Sequence, residues 1–279
     1  MSGNLYVVAT PIGNLEDLTP RARQTLADAD LIAAEDTRRT GRLLSHLGLK
    51  KRQIALHDHN EARVVAKLIV ALESGQSVAL VSDAGTPLVS DPGYRLVREA
   101  HKSGIKVSPI PGASAVTAAL SAAGLPTDRF CFEGFLPAKE AARRARLAAL
   151  ATEPRTLVFF ESVHRIGDAL ADMTTTFGDE RLAFIGREMT KIYEQCEQAS
   201  LAELRAGVAD KSIAGKGEFV IVVAGAERDS GSAFDTDRML TELARHLPPK
   251  KAAEVTSRLT GEKKNALYER LLESRGERK

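Results

Sequence analysis

Cysteine is scarce in this chain: only Cys131 and Cys196 occur among 279 residues, and neither has a histidine close by in sequence. This scarcity argues against a disulfide-stabilised scaffold and a structural zinc site, and it favours a reducing compartment. Long apolar runs are also missing, and none approaches the roughly 20 residues that span a bilayer. The first residues enter a strand-like run without a signal-peptide pattern. We therefore expect a cytoplasmic protein that has no membrane partner.

The usual glycine-rich nucleotide signatures are absent too, both G-x-G-x-x-G and the Walker A sequence. The formal net charge is only +2, although the charge is unevenly placed. Residues 245–279 carry ten Lys or Arg against five Glu, and Arg143, Arg144 and Arg146 form a second basic cluster. Two interpretations remain open, namely solvated helix faces or contacts with the phosphates of an anionic partner such as RNA.

The hydrophobic pattern predicts an α/β protein with three parts. In residues 1–124, strand-like runs alternate with helical patterns, which is typical of a mostly parallel sheet covered by helices. Residues 125–226 predict a second, mixed α/β domain, in which the alternation over 192–197 indicates an antiparallel strand. Residues 227–279 predict a linker and three amphipathic helices. These helices are compatible with a helix-turn-helix and equally with a packing or dimerisation appendage.

The most informative segment is the twelve-residue loop 82–93, which follows the strand-like run 78–81. A connection needs about two to six residues, so this loop is longer than connection alone requires. Gly85 permits close approach of the backbone to a ligand. Turns of small residues also follow two other predicted strands, at 10–14 and 111–115. Because carboxyl ends of parallel strands meet at one edge of a sheet, the three loops predict a pocket for a nucleotide-like ligand.

Polar side chains are also concentrated at 34–40, directly after a predicted strand, and at 56–61, after a short apolar run. Asp36 could cap a helix or take part in chemistry. His57 and His59 would share one face of a strand, yet the spacing indicates no third ligand, so no metal is expected. In the second domain, mixed acids and bases follow strands in the same way, either at a cleft between domains or in a structural network of ion pairs. These segments are 159–165, 187–194 and 216–219.

Taken together and in order, these segments resemble the tetrapyrrole (corrin/porphyrin) methylase superfamily, and more closely its RNA-modifying branch. The first loop lacks the multiple-glycine form of the corrin and porphyrin methylases, and the loop 82–93 is the most specific match. One departure is Val163, where relatives often carry proline or threonine. The matching segments are 10–14, 34–38, 57–61, 82–93, 111–112, 160–165, 187–191 and 216–218.

The resemblance implies a class III methyltransferase fold, with S-adenosylmethionine in a cleft between two α/β domains, a C-terminal helical unit and a homodimer. It further implies 2′-O-methylation of a cytidine ribose in the decoding centre of 16S rRNA, within the 30S subunit. Two alternatives are a tetrapyrrole C-methyltransferase and a non-catalytic RNA-binding assembly factor. By the resemblance, the cofactor would contact Ile12, Gly13, Ala84, Gly85, Thr86, Val89, Ser114, Ala115, Phe160 and Glu218.

Catalysis of such a transfer needs alignment and a base, because a ribose hydroxyl is a poor nucleophile. Position at the strand ends makes four residues candidates for that base: Asp36, His57, Glu61 and Asp91. Cations and an amide near the same edges are candidates for holding the substrate and its flanking phosphates. These are Arg38, Arg39, Asn60, Arg187 and Lys191.

Overall fold

The computed structural model describes residues 2–57, 60–226 and 236–274. The chain forms two compact units, Met1–Ala226 and Glu227–Lys279. The first unit contains two five-stranded sheets, and the predicted boundary at residue 124 falls in the connection between them. In the described part of the chain, no helix is both long enough and apolar enough to cross a membrane.

The first sheet is parallel throughout, with the strand order β3-β2-β4-β1-β5. Its two neighbouring inner strands, β2 and β4, are buried along their whole length, as their uninterrupted apolar sequences predict. The strands are β1 (Asn4–Val8), β2 (Leu31–Ala34), β3 (Gln53–Ala55), β4 (Val78–Val81) and β5 (Lys106–Ile110). The α-helices between and after them are α1 (Pro20–Asp28), α2 (Thr37–His46), α3 (Glu61–Glu73), α4 (Tyr94–Lys102) and α5 (Ala115–Ala122).

Side-chain caps define where the first two of these helices begin. The Thr19 hydroxyl accepts a hydrogen bond from the backbone N–H of Ala22, and Pro20 occupies the first helical position of α1. Asp36 caps α2 in the same way, through the backbone N–H of Arg38. The helices therefore start directly after the loops that carry the polar side chains.

The second sheet has the order β6-β7-β10-β8-β9, in which only β6 and β7 are parallel. The antiparallel strand predicted at 192–197 lies three residues later, because β9 pairs with β8 from Gln195 to Ser200 and the chain needs 188–194 to reverse direction. The strands are β6 (Phe130–Phe135), β7 (Thr156–Ser162), β8 (Leu182–Arg187), β9 (Gln195–Ser200) and β10 (Glu218–Val223). The helices are α6 (Glu140–Leu150), α7 (Ile166–Phe177) and α8 (Leu201–Ala209).

The basic cluster on α6 is occupied by ion pairs within the fold. Arg143 and Arg144 each place Nε 2.7 Å from a carboxylate oxygen of Asp172 on α7, and Arg146 pairs with Glu133. Arg143 and Asp172 are both buried. Arg143 and Arg144 therefore connect α6 to α7, and Arg146 connects α6 to β6, so the cluster offers little free charge to an anionic partner.

Within residues 236–274, the described part of the second unit, the chain forms three helices, as the sequence predicts. They are α9 (Thr236–His246), α10 (Pro249–Thr260) and α11 (Lys264–Ser274), and they share a small apolar core that includes Leu240 and Leu267. Gly261 ends α10 in the left-handed conformation, with φ +76°. Several cations of this unit pair with its own acids: Lys251, Lys264 and Arg258 all contact Glu254.

Candidate active site

Three loops at the carboxyl edge of the first sheet are joined to one another. Thr10 and Gly85 exchange backbone hydrogen bonds of 2.9 and 3.0 Å, and the Thr86 hydroxyl donates to the carbonyl oxygen of Ala113 over 3.1 Å. Gly85 has φ +80°, and a Cβ there would lie 3.3 Å from Cγ2 of Ile12. The expectation that loops 10–14, 82–93 and 111–115 come together is confirmed.

These loops form one wall of a cleft of about 470 Å³, and the second sheet forms the opposite wall. Phe160 on β7 lies in that opposite wall, held edge-on by Phe132 and Phe135 at ring-centre distances of 4.9 and 5.6 Å. Nine of the ten residues assigned to the cofactor by resemblance line this cleft, namely Ile12, Ala84, Gly85, Thr86, Val89, Ser114, Ala115, Phe160 and Glu218. Gly13 lines an adjoining compartment instead.

Five carboxyl-bearing residues line the cleft: Glu35, Asp83 and Asp91 follow strands of the first sheet, and Glu161 and Glu218 lie on strands of the second sheet. The backbone N–H of Asp83 donates to Glu35 over 3.2 Å, and Arg39 approaches Asp83 at 3.4 Å. Burial, reinforced by the charges of Glu35 and Asp83, raises the pKa of Asp91 to about 6, although a hydrogen bond from Ser82 opposes part of the rise. Asp91 is therefore a carboxyl group that titrates close to neutral pH.

The sequence analysis missed Glu35 and Asp83. Both follow buried strands directly, Glu35 after β2 and Asp83 after β4. This position directly after a strand is the sequence feature that marks Glu35 and Asp83 as candidates for the cleft. The candidates chosen from the same two segments, Asp36 and Asp91, lie further along the chain.

Two other candidate bases, Asp36 and Glu61, form hydrogen bonds and ion pairs at the beginnings of helices. Asp36 accepts hydrogen bonds from the backbone and guanidinium of Arg38, and these contacts hold the pKa of Asp36 far below its usual range. Glu61 is buried at the start of α3, where it accepts from the backbone of Gly93 and pairs with Arg95 at 3.3 Å. Neither carboxylate lines the cleft. The geometry thus favours structural roles for both.

His57 and Asn60 lie in the loop between β3 and α3. The Asn60 side chain accepts from the backbone N–H of His57 and donates to the carbonyl oxygen of Ala55, both over 3.0 Å, so it closes this loop. Because β3 is the edge strand of the sheet, its loop is set apart from the cleft, and neither residue lines it. His59 lies outside the described residues. Among those described, no group of three or more His, Cys, Asp or Glu is placed to hold a metal ion.

Lys191 is the cation most closely associated with the cleft. Its ammonium lies 2.8 Å from Glu188 and 3.0 Å from Glu218. Burial disfavours the charge, but the hydrogen bonds and charges of these two carboxylates outweigh it and raise the pKa of Lys191. Lys191 therefore stays protonated at neutral pH, so it cannot accept a proton from a substrate. Arg39 also lines the cleft, whereas Arg38 does not.

Arg187 supports the loop that carries Lys191. Its buried guanidinium donates to the carbonyl oxygens of Lys216 (2.5 Å) and Tyr193 (2.8 Å) and to the side chain of Gln195 (3.1 Å). These contacts connect the loop 188–194 to the segment that leads into β10. The geometry favours a supporting role for Arg187 over direct contact with a substrate.

The loop 188–194 also reaches the first sheet. The Thr190 hydroxyl accepts a hydrogen bond of 3.1 Å from the backbone N–H of Asn14. A Cβ on Gly13 would lie 2.4 Å from Cγ of Lys191 and 2.8 Å from the Thr190 hydroxyl. Glycine at position 13 therefore lets the two loops touch and close one side of the cleft.

Comparison with known proteins assigns the class and then the family. The family model for Tetrapyrrole (Corrin/Porphyrin) Methylases matches residues 4–205, so the chain is a member of that class. A second model, for the RsmI C-terminal HTH domain, matches residues 231–275. The chain is 52% identical over 267 residues to the ribosomal RNA small subunit methyltransferase I of Xylella fastidiosa, covering 95% of this chain and 98% of that one. It is 51% identical over 275 residues to the Escherichia coli O157:H7 protein of the same name, covering 98% and 96%. The chain belongs to the ribosomal RNA small subunit methyltransferase I family.

Solved structures of low sequence identity share the fold. Uroporphyrin-III C-methyltransferase from Thermus thermophilus superposes with a TM-score of 0.57 at 22% identity, covering 80% of this chain and 94% of that one. A second structure of a uroporphyrin-III C-methyltransferase from the same organism, complexed with S-adenyl homocysteine, gives 0.56 at 19% identity, with coverage of 80% and 97%. Diphthine synthase gives 0.58 at 18% identity, with coverage of 80% and 90%.

Proposed function

We propose that the protein is a methyltransferase that transfers the methyl group of S-adenosylmethionine to the 2′-hydroxyl of a cytidine ribose in the decoding centre of 16S rRNA. Membership of the ribosomal RNA small subunit methyltransferase I family supports the coarser activity, methylation of small-subunit rRNA. The finer specificity, ribose over base and cytidine over other nucleosides, follows from the resemblance set out above. The observation that carries the proposal is Asp91, a carboxyl titrating near pH 6 in the wall of the cleft.

The cleft has the features that an adenosyl cofactor requires. Ala84, Gly85 and Ala115 present little side chain, so backbone groups are accessible to a ligand. Opposite them, the half-buried ring of Phe160 offers an apolar surface against which a purine can pack. S-adenosylmethionine, when bound, supplies an electrophilic methyl group on a sulfonium centre.

The residues of the chain would contribute orientation and a proton acceptor. Methyl transfer is an in-line displacement, so holding both reactants in one orientation supplies much of the rate. Asp91 would accept the proton of the attacking hydroxyl, and its pKa of about 6 leaves it ionised yet basic at neutral pH. Lys191, fixed by Glu188 and Glu218, would keep a positive charge at the cleft for the substrate phosphates.

We also propose that the enzyme acts on rRNA within the 30S subunit and works as a homodimer, both as the resemblance implies. Sedimentation analysis of the purified chain measures the dimer directly, and a single species of monomer mass would contradict it. Parallel reactions on naked 16S rRNA and on assembled 30S subunits measure the requirement for the subunit.

The function is tested with 30S subunits from cells that lack the enzyme. The subunits are incubated with S-adenosylmethionine carrying a labelled methyl group, and the rRNA is then digested and mapped by mass spectrometry. We expect one labelled 2′-O-methylcytidine in 16S rRNA, and its loss in Asp91→Asn. Asp128→Asn, the same change at an exposed residue outside the cleft, is the matched control.

Three outcomes would contradict the proposal. Label on a base would refute the ribose specificity. Label on a uroporphyrinogen-type substrate and none on rRNA would instead identify a tetrapyrrole C-methyltransferase. Binding of cofactor and 30S subunits without transfer would identify a non-catalytic assembly factor.

A further inference from the structure

A second compartment of about 300 Å³ adjoins the cleft. The two share six wall residues, so they are continuous: Ile12, Arg39, Asp83, Ala84, Lys191 and Glu218. The walls unique to the second compartment come from three places: the first loop, α2, and the start of the loop 82–93. These residues are Thr10, Pro11, Gly13, Leu15, Thr40, Arg42, Leu43 and Ser82. A ligand in this compartment would therefore meet a ligand in the cleft between Ile12, Asp83 and Lys191.

The second compartment combines apolar surface with hydroxyl groups. Pro11, Leu15 and Leu43 provide the apolar part, and 45% of Leu15 is exposed to a ligand. Thr10 and Thr40 are buried in the wall. An apolar surface with a few polar groups suits a planar, hydrogen-bonding ring such as a nucleobase.

The cations around this compartment differ in what they already bind. Lys191 is held by Glu188 and Glu218, and Arg39 lies 3.4 Å from Asp83. Helix α2 contains no acidic residue. Arg42 is exposed on it, and no carboxylate in residues 2–57, 60–226 or 236–274 lies within ion-pair distance of its guanidinium. Arg42 is thus a cation at the rim whose charge the fold does not use.

We propose that the second compartment binds the target nucleotide of a single-stranded RNA segment, with the base against Pro11, Leu15 and Leu43 and a flanking phosphate on Arg42. This rests on the proposed function, since it places the substrate of that same reaction. Unstacked bases of single-stranded RNA are bound in this way, by packing on side chains while cations hold the backbone. Bound here, the nucleotide would present its ribose to the cleft near Asp83 and Asp91.

The charge of Arg42 is tested with Arg42→Gln in the full-length protein. KM for 30S subunits should rise about two- to fivefold, the size of one partly exposed ion pair. The slope of log KM against log salt should fall by roughly 0.7, the contribution of one phosphate of a single strand. kcat and the Kd for S-adenosylhomocysteine should change less than twofold. Arg42→Lys should restore the slope, and Arg21→Gln, at an exposed position of α1, should match the wild type.

The apolar part of the compartment is tested separately with Leu15→Ala. KM should rise with an unchanged salt slope, because no charge is removed, and cofactor affinity should again stay constant. An Arg42→Gln slope equal to that of the wild type, or an unchanged KM in both variants, would overturn the inference. If the wild type methylates no RNA in 30S subunits, it is the proposed function that fails, and the compartment then falls with it.

Discussion

Replacing Asp91 by Asn should stabilise the protein at high pH while it abolishes methyl transfer. The fold raises the pKa of this carboxyl from 3.8 to about 6, first through burial and then through the charges of Glu35 and Asp83. A difference of roughly two pH units corresponds to about 3 kcal/mol at 1.36 kcal/mol per unit. Asp91 is only half-buried, so solvent screening reduces the figure to about 1.5 kcal/mol.

The sign follows from proton linkage. Below about pH 3 the carboxyl is protonated in both the folded and the unfolded state, and it contributes no pH dependence. Between pH 4 and 6 the unfolded chain loses the proton first, so the wild type loses stability as the pH rises, and above about pH 7 the full cost remains. Asn cannot ionise, so the Asp91→Asn variant does not lose this stability at high pH.

Thermal unfolding at pH 4.5 and pH 8 measures the effect, with Asp128→Asn as the matched control. A gain of about 1.5 kcal/mol corresponds to roughly 3–6 °C in Tm for a unit of this size, and it should be present in full at pH 8 and reduced to roughly a third at pH 4.5. In parallel, the wild-type rate of methyl transfer should rise with pH through an apparent pKa near 6. Equal effects of the substitution on Tm at the two pH values would refute the reasoning.

Two further predictions concern the loops. Gly85→Ala places a side chain at φ +80°, so it should lower stability by about 1–2 kcal/mol and weaken S-adenosylhomocysteine binding in calorimetry. The control Gly167→Ala, in an open position of α7, should be neutral or stabilising. Equal effects of the two substitutions would contradict this prediction. Arg187→Gln leaves the carbonyls of Tyr193 and Lys216 without their donor, so it should cost about 1–3 kcal/mol in urea unfolding and lower kcat. Both effects should be partly restored in Arg187→Lys and absent in Arg205→Gln, at an exposed position of α8. A purely KM effect with unchanged stability would instead indicate substrate contact.

Much of the fold could be predicted from the pattern of apolar residues. The buried strands β2 and β4 read as continuous apolar runs, and Thr19-Pro20 marks the start of α1. The strand β3 was missed, because three half-buried residues at a sheet edge leave almost no periodicity. The strand β9 was predicted three residues too early, because Ile192 and Tyr193 continue the alternation of apolar and polar residues although they lie exposed in a loop.

The sequence indicates which loops and side chains follow strands, but it does not give the order of the strands in the sheet. It therefore does not show which of these loops lie together at the cleft. The loops after β1, β4 and β5 adjoin in the order β4-β1-β5, and they form one wall of the cleft. The sequence cannot show that β2 and especially β3 lie to one side of these three strands. Glu61 and His57 follow β3 and so are held away from the cleft, although they sit at a carboxyl edge as Asp91 does.

Backbone strain adds a feature that no sequence pattern reveals. Among the residues that the structure describes, five non-glycine residues have positive φ. Four of them lie in the two loops that face each other: Leu88 and Ser90 in 82–93, and Glu188 and Thr190 in 188–194. Each such residue costs about 1–3 kcal/mol and keeps this conformation only where its surroundings enforce it. In the loop 188–194 such contacts are present, since Glu188 accepts a hydrogen bond from the backbone N–H of Glu218 and Thr190 accepts one from that of Asn14. The stability lost at Asp91 and in these loops is thus concentrated around one cleft, as expected where the fold is shaped by binding and catalysis more than by stability.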